Sequence, residues 1–276
     1  MHVLAVINNK GGVGKTTSAV NLAAWFARMG HETLLVDFDP SAGSSLHLGF
    51  DPAANSASTL CDYLIVRDGR LGEHIHATTV SGLSCLPSEP SLGEFYEEVQ
   101  QGDGVEFFLN RKDIPEKFRF VICDCPPNMG SLAFNALSLA DFAVVPIQTQ
   151  YLSLPGLDLT LEVVDKARRR LNPSLKLLGF FGTHFDRRSA VAGKVLDLLR
   201  QRLGSQMFRT VIGVNSKLIE AFQARLPVLL YAPRARGSEE YRQLAKEMLK
   251  RMNRIAEQKK DSPKPTRGDN EWKHLA

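Results

Sequence analysis

INNKGGVGKTTSAVN, residues 7–21, decides the fold. An apolar run of strand length, VLAVIN (3–8), leads into it, and a segment of helical period, 15–29, leads out. A strand that turns through Gly11, Gly12, Val13 and Gly14 into a helix gathers backbone N–H groups of the turn and of the helix start around one point. That point carries positive potential, and glycines are needed around it because a Cβ would block the close approach of an anion. The segment therefore predicts a phosphate-binding loop in its strand-to-helix context. Lys15 opens the helix and is placed to reach β and γ phosphates, while the hydroxyls of Thr16 and Thr17 follow, Thr16 as a ligand for Mg²⁺. Lys10 is a second cation in the same loop, at its strand end.

Outward from this loop, apolar runs alternate with segments of helical period, the pattern of a parallel sheet covered by helices on both faces. TLLVDFD (33–39), FRFVICD (118–124), FAVVPI (142–147) and KLLGFFGTHF (176–185) join VLAVIN as buried strands. Helices are expected over 15–29, 131–140, 154–171 and 190–203, a short strand pair around Ser81-Gly82 within 75–87, and a helix with an irregular end over 91–110. The fold class is a doubly wound, mostly parallel, three-layer α/β domain of the P-loop, Rossmann-like type, over residues 1–257. Residues 258–276 are polar and proline-bearing and are expected to be disordered.

Composition narrows the function classes. A hydrophobic content of 43% over 276 residues suffices for a large core, and the chain has no apolar run long enough to span a membrane. The start, MHVLAVINN, lacks the basic flank and cleavage site of a signal peptide, so a cytoplasmic protein is expected. Cys61, Cys85, Cys123 and Cys125 lack the spacing of a zinc or redox site and are expected as buried thiols. A net charge of +4 permits contact with nucleic acid without requiring it.

KGGVGKTT, Lys10 to Thr17, resembles the deviant Walker A signature of the ParA/MinD family of P-loop ATPases. The resemblance implies that ATP and Mg²⁺ occupy the loop and that Lys10 reaches across a face-to-face homodimer to the phosphates of the partner's nucleotide. A cation supplied in this way would make association depend on ATP. The family's DxDP segment matches Asp37–Pro40 and assigns Asp39 to orienting the attacking water beside the metal. Asp37, two residues earlier on what reads as one strand, is expected to face the same way and to support the metal through a water. ICDCPP delivers Asp124 to a strand end as the Walker B carboxylate for Mg²⁺-bound water, followed by Pro126, Pro127 and Gly130 as a switch segment. Lys10, Lys15 and Asp39 are thus the catalytic candidates. Ser41 stands where the family usually has glutamine.

Residues 210–249 are similar to the C-terminal region of the ParA branch, with Ile212, Asn215, Lys217, Leu218, Glu220, Ala221, Pro227 and Val228 matching. Gly213 and Val214 replace the usual proline and arginine. Asn215 is either an adenine contact or the cap of a helix beginning near Ser216. The resemblance makes Arg188 and Lys217 the residues that bind DNA without sequence preference, doubled in the ATP dimer. It implies a nucleoid-associated ATPase that segregates a chromosome or plasmid through a ParB-like partner. Positioning of a large protein cargo is the alternative.

Two rivals share the loop. A MinD-type regulator would need a membrane-binding terminal helix, but the stripe Tyr241, Leu244, Ala245, Met248, Leu249, Met252 and Ile255 reads as a core seam, so no membrane partner is expected. An iron–sulfur donor of the nitrogenase iron-protein type would need cysteines placed to share a cluster, which this spacing does not supply.

Overall fold

The computed structural model of the chain describes residues 1–54, 57–66, 70–100, 109–128, 130–150 and 155–261. Seven strands form one sheet: β1 (His2–Val6), β2 (Thr33–Asp37), β3 (His76–Ala77), β4 (Leu83–Leu86), β5 (Phe120–Asp124), β6 (Phe142–Gln148) and β7 (Lys176–Thr183). Their order is β3-β4-β2-β5-β1-β6-β7. All neighbours are parallel except β3, which pairs antiparallel with β4. The helices are α1 (Lys15–Arg28), α2 (Gly43–His47), α3 (Leu60–Val66), α4 (Ser91–Gln100), α5 (Ser131–Leu139), α6 (Pro155–Arg170), α7 (Ala190–Leu203), α8 (Ser216–Gln223), α9 (Val228–Tyr231) and α10 (Arg236–Asp261).

Strand alternation feeds two separate cores. Val3 and Ala5 of β1, with Val121 and Cys123 of β5, point to the side covered by α3 to α7. Leu4 and Val6, with Phe120 and Ile122, point to the side covered by α1, α9 and α10. Both faces are therefore dry, which is why these strands read as unbroken apolar runs. The register sets Val6 opposite Asp124 and Asp37 opposite Asp124, so the carboxyl ends of β1, β5 and β2 finish level.

The strands nearest the loop are shorter than their apolar runs. β1 stops at Val6 and β2 at Asp37, two residues short in each case. Side-chain oxygens take over the backbone there: Asn8 Oδ1 accepts the Lys10 N–H at 2.9 Å and Asp37 Oδ1 accepts the Asp39 N–H at 3.0 Å. Such local bonds compete with the sheet ladder and turn the chain. The expected strand pair around Ser81-Gly82 forms, with Gly82 at φ +79°, and β4 then adds itself parallel to β2, a pairing no local pattern announced. The helix expected over 91–110 is described as far as Gln100; residues 101–108 lie outside the described residues.

α10 settles the character of the terminal stripe. Tyr241, Leu244, Ala245, Met248 and Met252 are buried against α1, and the Tyr241 hydroxyl bonds Ser18 Oγ at 3.0 Å. This apolar face is a core seam. The helix continues to Asp261, and the remainder of the polar tail, 262–276, lies outside the described residues. All four cysteines are free and buried.

Truncating the centre of that seam should be costly. Leu244→Ala, at a fully buried position, should lower stability by about 2–5 kcal/mol. The check is the urea midpoint, expected to fall with the slope of the transition preserved.

Candidate functional site

The loop between β1 and α1 is held open from outside. Gln148 Nε2 donates to the Gly12 carbonyl at 2.7 Å and Thr183 Oγ1 to the Val13 carbonyl at 2.9 Å, so the ends of β6 and β7 fasten it. The Asn9 N–H donates to Thr160 Oγ1 of α6 at 3.3 Å. Gly12 and Gly14 adopt φ +70° and +88°, conformations that L side chains rarely tolerate. A Cβ at Gly11 or Gly12 would meet nothing within 4 Å, so the concave side of the turn is free to receive a ligand. α1 starts with no side-chain cap, leaving the first N–H groups of the helix directed at the same space.

Lys15 is buried and its Nζ donates to the Lys10 carbonyl at 3.1 Å. Burial pushes its ammonium pKa down, against the pull of Asp124 and Asp39. Lys10 is half-buried, and its side chain makes no ion pair among the described residues. Its backbone N–H, bonded to Asn8, fixes the bend at which the side chain leaves the loop.

The carboxylates divide into unlike roles. Asp37 is fully buried and accepts bonds from Ser45 N at 2.9 Å, Ser45 Oγ at 2.8 Å and Asp39 N. Because β2 ends at Asp37, Asp37 and Asp39 are not a same-face strand pair. Asp37 is instead the knot of the turn from 39 to 45, whereas Asp39 is half-buried, with Oδ1 accepting the Ser41 N–H at 2.9 Å. Asp124 is fully buried; its Oδ2 accepts the Ser44 hydroxyl at 2.6 Å, and its Oδ1 has no protein partner. Burial raises the pKa of Asp124 above the carboxylate range, Asp37 adds repulsion, and the Ser44 and Thr16 hydroxyls oppose the rise. Burial raises Asp37 likewise.

A divalent cation fits this donor set. The bare Asp124 oxygen is a buried acceptor in want of a partner, and Thr16 offers a hydroxyl beside it. No cluster of three or more acidic, histidine or cysteine side chains able to cage a metal exists among the described residues. That is the setting of Mg²⁺, which retains waters and relies on substrate phosphates rather than on a protein cage.

The remaining candidates lie beyond the end of β7. Asn215 caps α8, its side chain accepting the Lys217 N–H at 2.9 Å, while its amide nitrogen lies over Gly237 at the start of α10. The segments carrying Arg188 and Lys217 run side by side, joined by Phe185 N to Ile212 O and Val214 N to Phe185 O. Arg188 is 91% exposed and rests on Asp186. Lys217 is paired with Glu220 at 2.7 Å, and Glu220 also accepts the Tyr231 hydroxyl. Glu240 ties these segments to α10: it pairs with Arg187 and Arg236 and accepts the Gly213 N–H at 2.8 Å.

A family model described as an AAA domain matches residues 1–177. The chromosome partitioning protein ParA of Myxococcus xanthus is 35% identical over 254 residues, 91% of this chain and 88% of that protein. This chain belongs to the ParA family of P-loop ATPases. The sporulation initiation inhibitor protein Soj of Bacillus subtilis is 36% identical, covering 89% of the chain and 97% of its own length. Among solved structures, cobyrinic acid a,c-diamide synthase from Mycobacterium smegmatis, with bound ATP analogue and magnesium, superposes at TM-score 0.78 with 28% identity. It covers 96% of this chain and 100% of that one.

In this ParA-family chain the structure brings together Lys10, Gly11, Gly12, Val13, Gly14, Lys15, Thr16, Thr17, Asp39 and Asp124 around one edge of the sheet, and holds Arg188 on a loop beside Asn215 and Lys217 at the start of α8. Sequence reasoning assigned nothing to Ser44 and Ser45 or to the fasteners Gln148 and Thr183. Gly43 was the available signal: a Cβ there would lie 3.1 Å from Thr16, so α2 packs directly on the metal hydroxyl candidate.

The two raised carboxyls make a pH prediction. Each binds its proton more tightly in the native than in the unfolded chain, so ligand-free stability should fall as pH rises from 3.8 through the raised native range. Asp124→Asn should weaken that slope and raise the ligand-free melting temperature at pH 7.5, by about 2–4 °C per kcal/mol recovered. Calorimetry across pH checks it; an unchanged slope would locate the cost elsewhere.

Proposed function

We propose that this chain is an ATP-driven switch for DNA partition. Its ATP-bound homodimer holds nonspecific DNA of the nucleoid, a ParB-like adaptor on a chromosome or plasmid stimulates hydrolysis, and the ADP form releases. The observation that carries the reading is the buried Lys15 beside the unpartnered Asp124 oxygen, at the foot of a loop whose outer wall bears a second lysine with no ion pair among the described residues.

Each residue has a role in it. Gly11 to Thr17 and the uncapped start of α1 cradle the triphosphate with N–H groups, and Lys15 neutralises its inner oxygens. Thr16 holds Mg²⁺ directly and Asp124 holds one of its waters through Oδ1, with Ser44 fixing the carboxylate's other oxygen. Magnesium supplies the charge that offsets the negative charge of the reacting phosphates. Asp39, positioned by its bond to the Ser41 N–H, orients the attacking water. Lys10 extends to the nucleotide of the twin protomer, so that triphosphate and dimer stabilise each other. Asn215 contacts adenine through its amide nitrogen while its oxygen caps α8. Arg188 and Lys217 meet phosphates of the duplex, Lys217 exchanging Glu220 for DNA.

The chromosome-partitioning name of the similar M. xanthus protein supports this reading over protein-cargo positioning. The buried α10 seam argues against a membrane-bound mode.

The decisive test is binding to a nonspecific duplex with ATP, ADP and no nucleotide, at two salt concentrations. Strong, salt-sensitive binding is expected with ATP only, and equal binding in all three states would refute the switch. With non-hydrolysable ATP, light scattering should report a dimer for the wild type and a monomer for Lys10→Ala; a monomeric wild type would overturn the role of Lys10. Asp39→Ala should keep ATP binding and dimerisation while turnover drops by about two orders of magnitude or more. Normal hydrolysis in that variant would place the water elsewhere.

A further inference from the structure

A second basic surface lies away from the loop that carries Arg188. Between the end of α7, the segment that follows it and the outer face of α10 runs a cleft of about 750 Å³, with Arg200, Arg209, Lys246, Lys250, Arg251 and Arg254 on its walls. One acid, Glu247, faces it, and its two carboxylate oxygens are committed to the backbone N–H groups of Arg209 at 2.8 Å and Thr210 at 3.1 Å. Arg251 is a structural member. Its Nη1 donates to the carbonyls of Leu178 and Gln206, both at 2.9 Å, and its guanidinium lies 3.9 Å from the Phe208 ring centre. The other cations are exposed, and among the described residues Arg209, Lys246, Lys250 and Arg254 form no ion pair. Arg200 has one loose partner, Asp197, at 3.8 Å.

The arrangement is ordered rather than scattered. Lys246, Lys250 and Arg254 follow one another at i, i+4 and i+8 on α10, which lines them along one helix face over about 12 Å. Cations aligned at this spacing repel one another and cost stability unless an anion joins them. A second cleft of about 400 Å³, lined by Arg187, Arg200, Arg209 and Gln243, continues from the first to the loop bearing Arg188; its two acids, Glu239 and Glu240, are held in ion pairs with Arg242 and with Arg187 and Arg236. One basic track therefore leads from Arg254 to Arg188.

We propose that this track is a second line of duplex-phosphate contact, so that each protomer grips DNA along α10 as well as through Arg188 and Lys217. This rests on the DNA reading above and extends it to residues outside the family's matching positions. Two observations favour a nucleic-acid backbone over an acidic protein segment. The cations form a line matched to a regular polyanion, and the track is continuous with the Arg188 loop. The cleft also has no exposed apolar wall of the kind that anchors protein partners; its apolar members Met207 and Phe208 are buried.

The test is the triple variant Lys246→Gln, Lys250→Gln, Arg254→Gln in the full chain, with circular dichroism to confirm folding and Arg188→Gln as a comparison. Each cation withdrawn from a duplex removes about 0.9 from the slope of log affinity against log salt. With both protomers engaged, six cations are withdrawn, so the triple variant should flatten that slope by about 5 and bind a random 30-base-pair duplex at least tenfold more weakly at low salt. ATP hydrolysis without DNA should not change, because none of the three lies in the nucleotide site. Wild-type slope and affinity in the triple variant, with Arg188→Gln weakened, would overturn the track and leave the partition reading intact. No DNA binding by the wild-type chain with ATP would overturn both. An unchanged DNA slope with weakened binding of polyglutamate would assign the cleft to an acidic protein segment and overturn the proposal.

Discussion

The fold is organised around a carboxyl group taken out of water, where burial opposes its ionisation. Asp124 lies wholly inside, at the level where β2, β5 and β1 finish together, with one oxygen bonded to Ser44 and the other bare. Lys15 is buried nearby, and Asp37 stands directly across the register on the neighbouring strand. Ionising a buried carboxyl is expensive, and here desolvation and the repulsion from Asp37 both oppose it. The persistence of this carboxyl marks a site tuned for a ligand rather than for the resting protein. Much of the surrounding structure serves to keep that arrangement in place: the Asx turns that end β1 and β2, the five residues of α2, and the bonds from β6 and β7 to the loop.

The sheet was legible because its central strands are covered on both faces and so spell themselves out as apolar runs. The phosphate loop was legible because glycine, lysine and threonine at fixed spacing have few other uses. Strand ends were less so, since Asn8 and Asp37 divert the backbone by hydrogen bonds that leave no mark on hydropathy. The same holds for α2. Its Ser44 and Ser45 look like loop residues, and only their contact with two strand-end carboxylates gives them meaning. Asn215 presented an open choice between a cap and a base contact; the fold shows the cap, made by its oxygen, and leaves the amide nitrogen over Gly237.

Communication between the nucleotide edge and the basic surface has a physical route in short bonded steps. Glu240 is mostly buried and joins Arg187, Arg236 and the Gly213 N–H, so the loop bearing Arg188 and the segment leading to Asn215 share one anchor on α10. On the opposite flank, α2 carries His47, whose Nε2 bonds the Leu226 carbonyl at 3.1 Å and whose ring packs edge-on against Phe222 of α8. Burial holds the His47 ring neutral, with its pKa pushed down to about 4. The His47 contacts thus join α2, whose Ser44 bonds Asp124, to α8, which starts beside Asn215.

Position 179 has a wider significance than its place in the middle of β7 suggests. The residue is glycine at φ +145°, and a side chain there would overlap the Arg251 guanidinium and the Gln206 carbonyl. One missing carbon thus admits the arginine that rivets the terminal helix to the sheet. A single methyl group at this point would collide with that rivet, so the seating of the terminal helix depends on a position that itself carries no side chain.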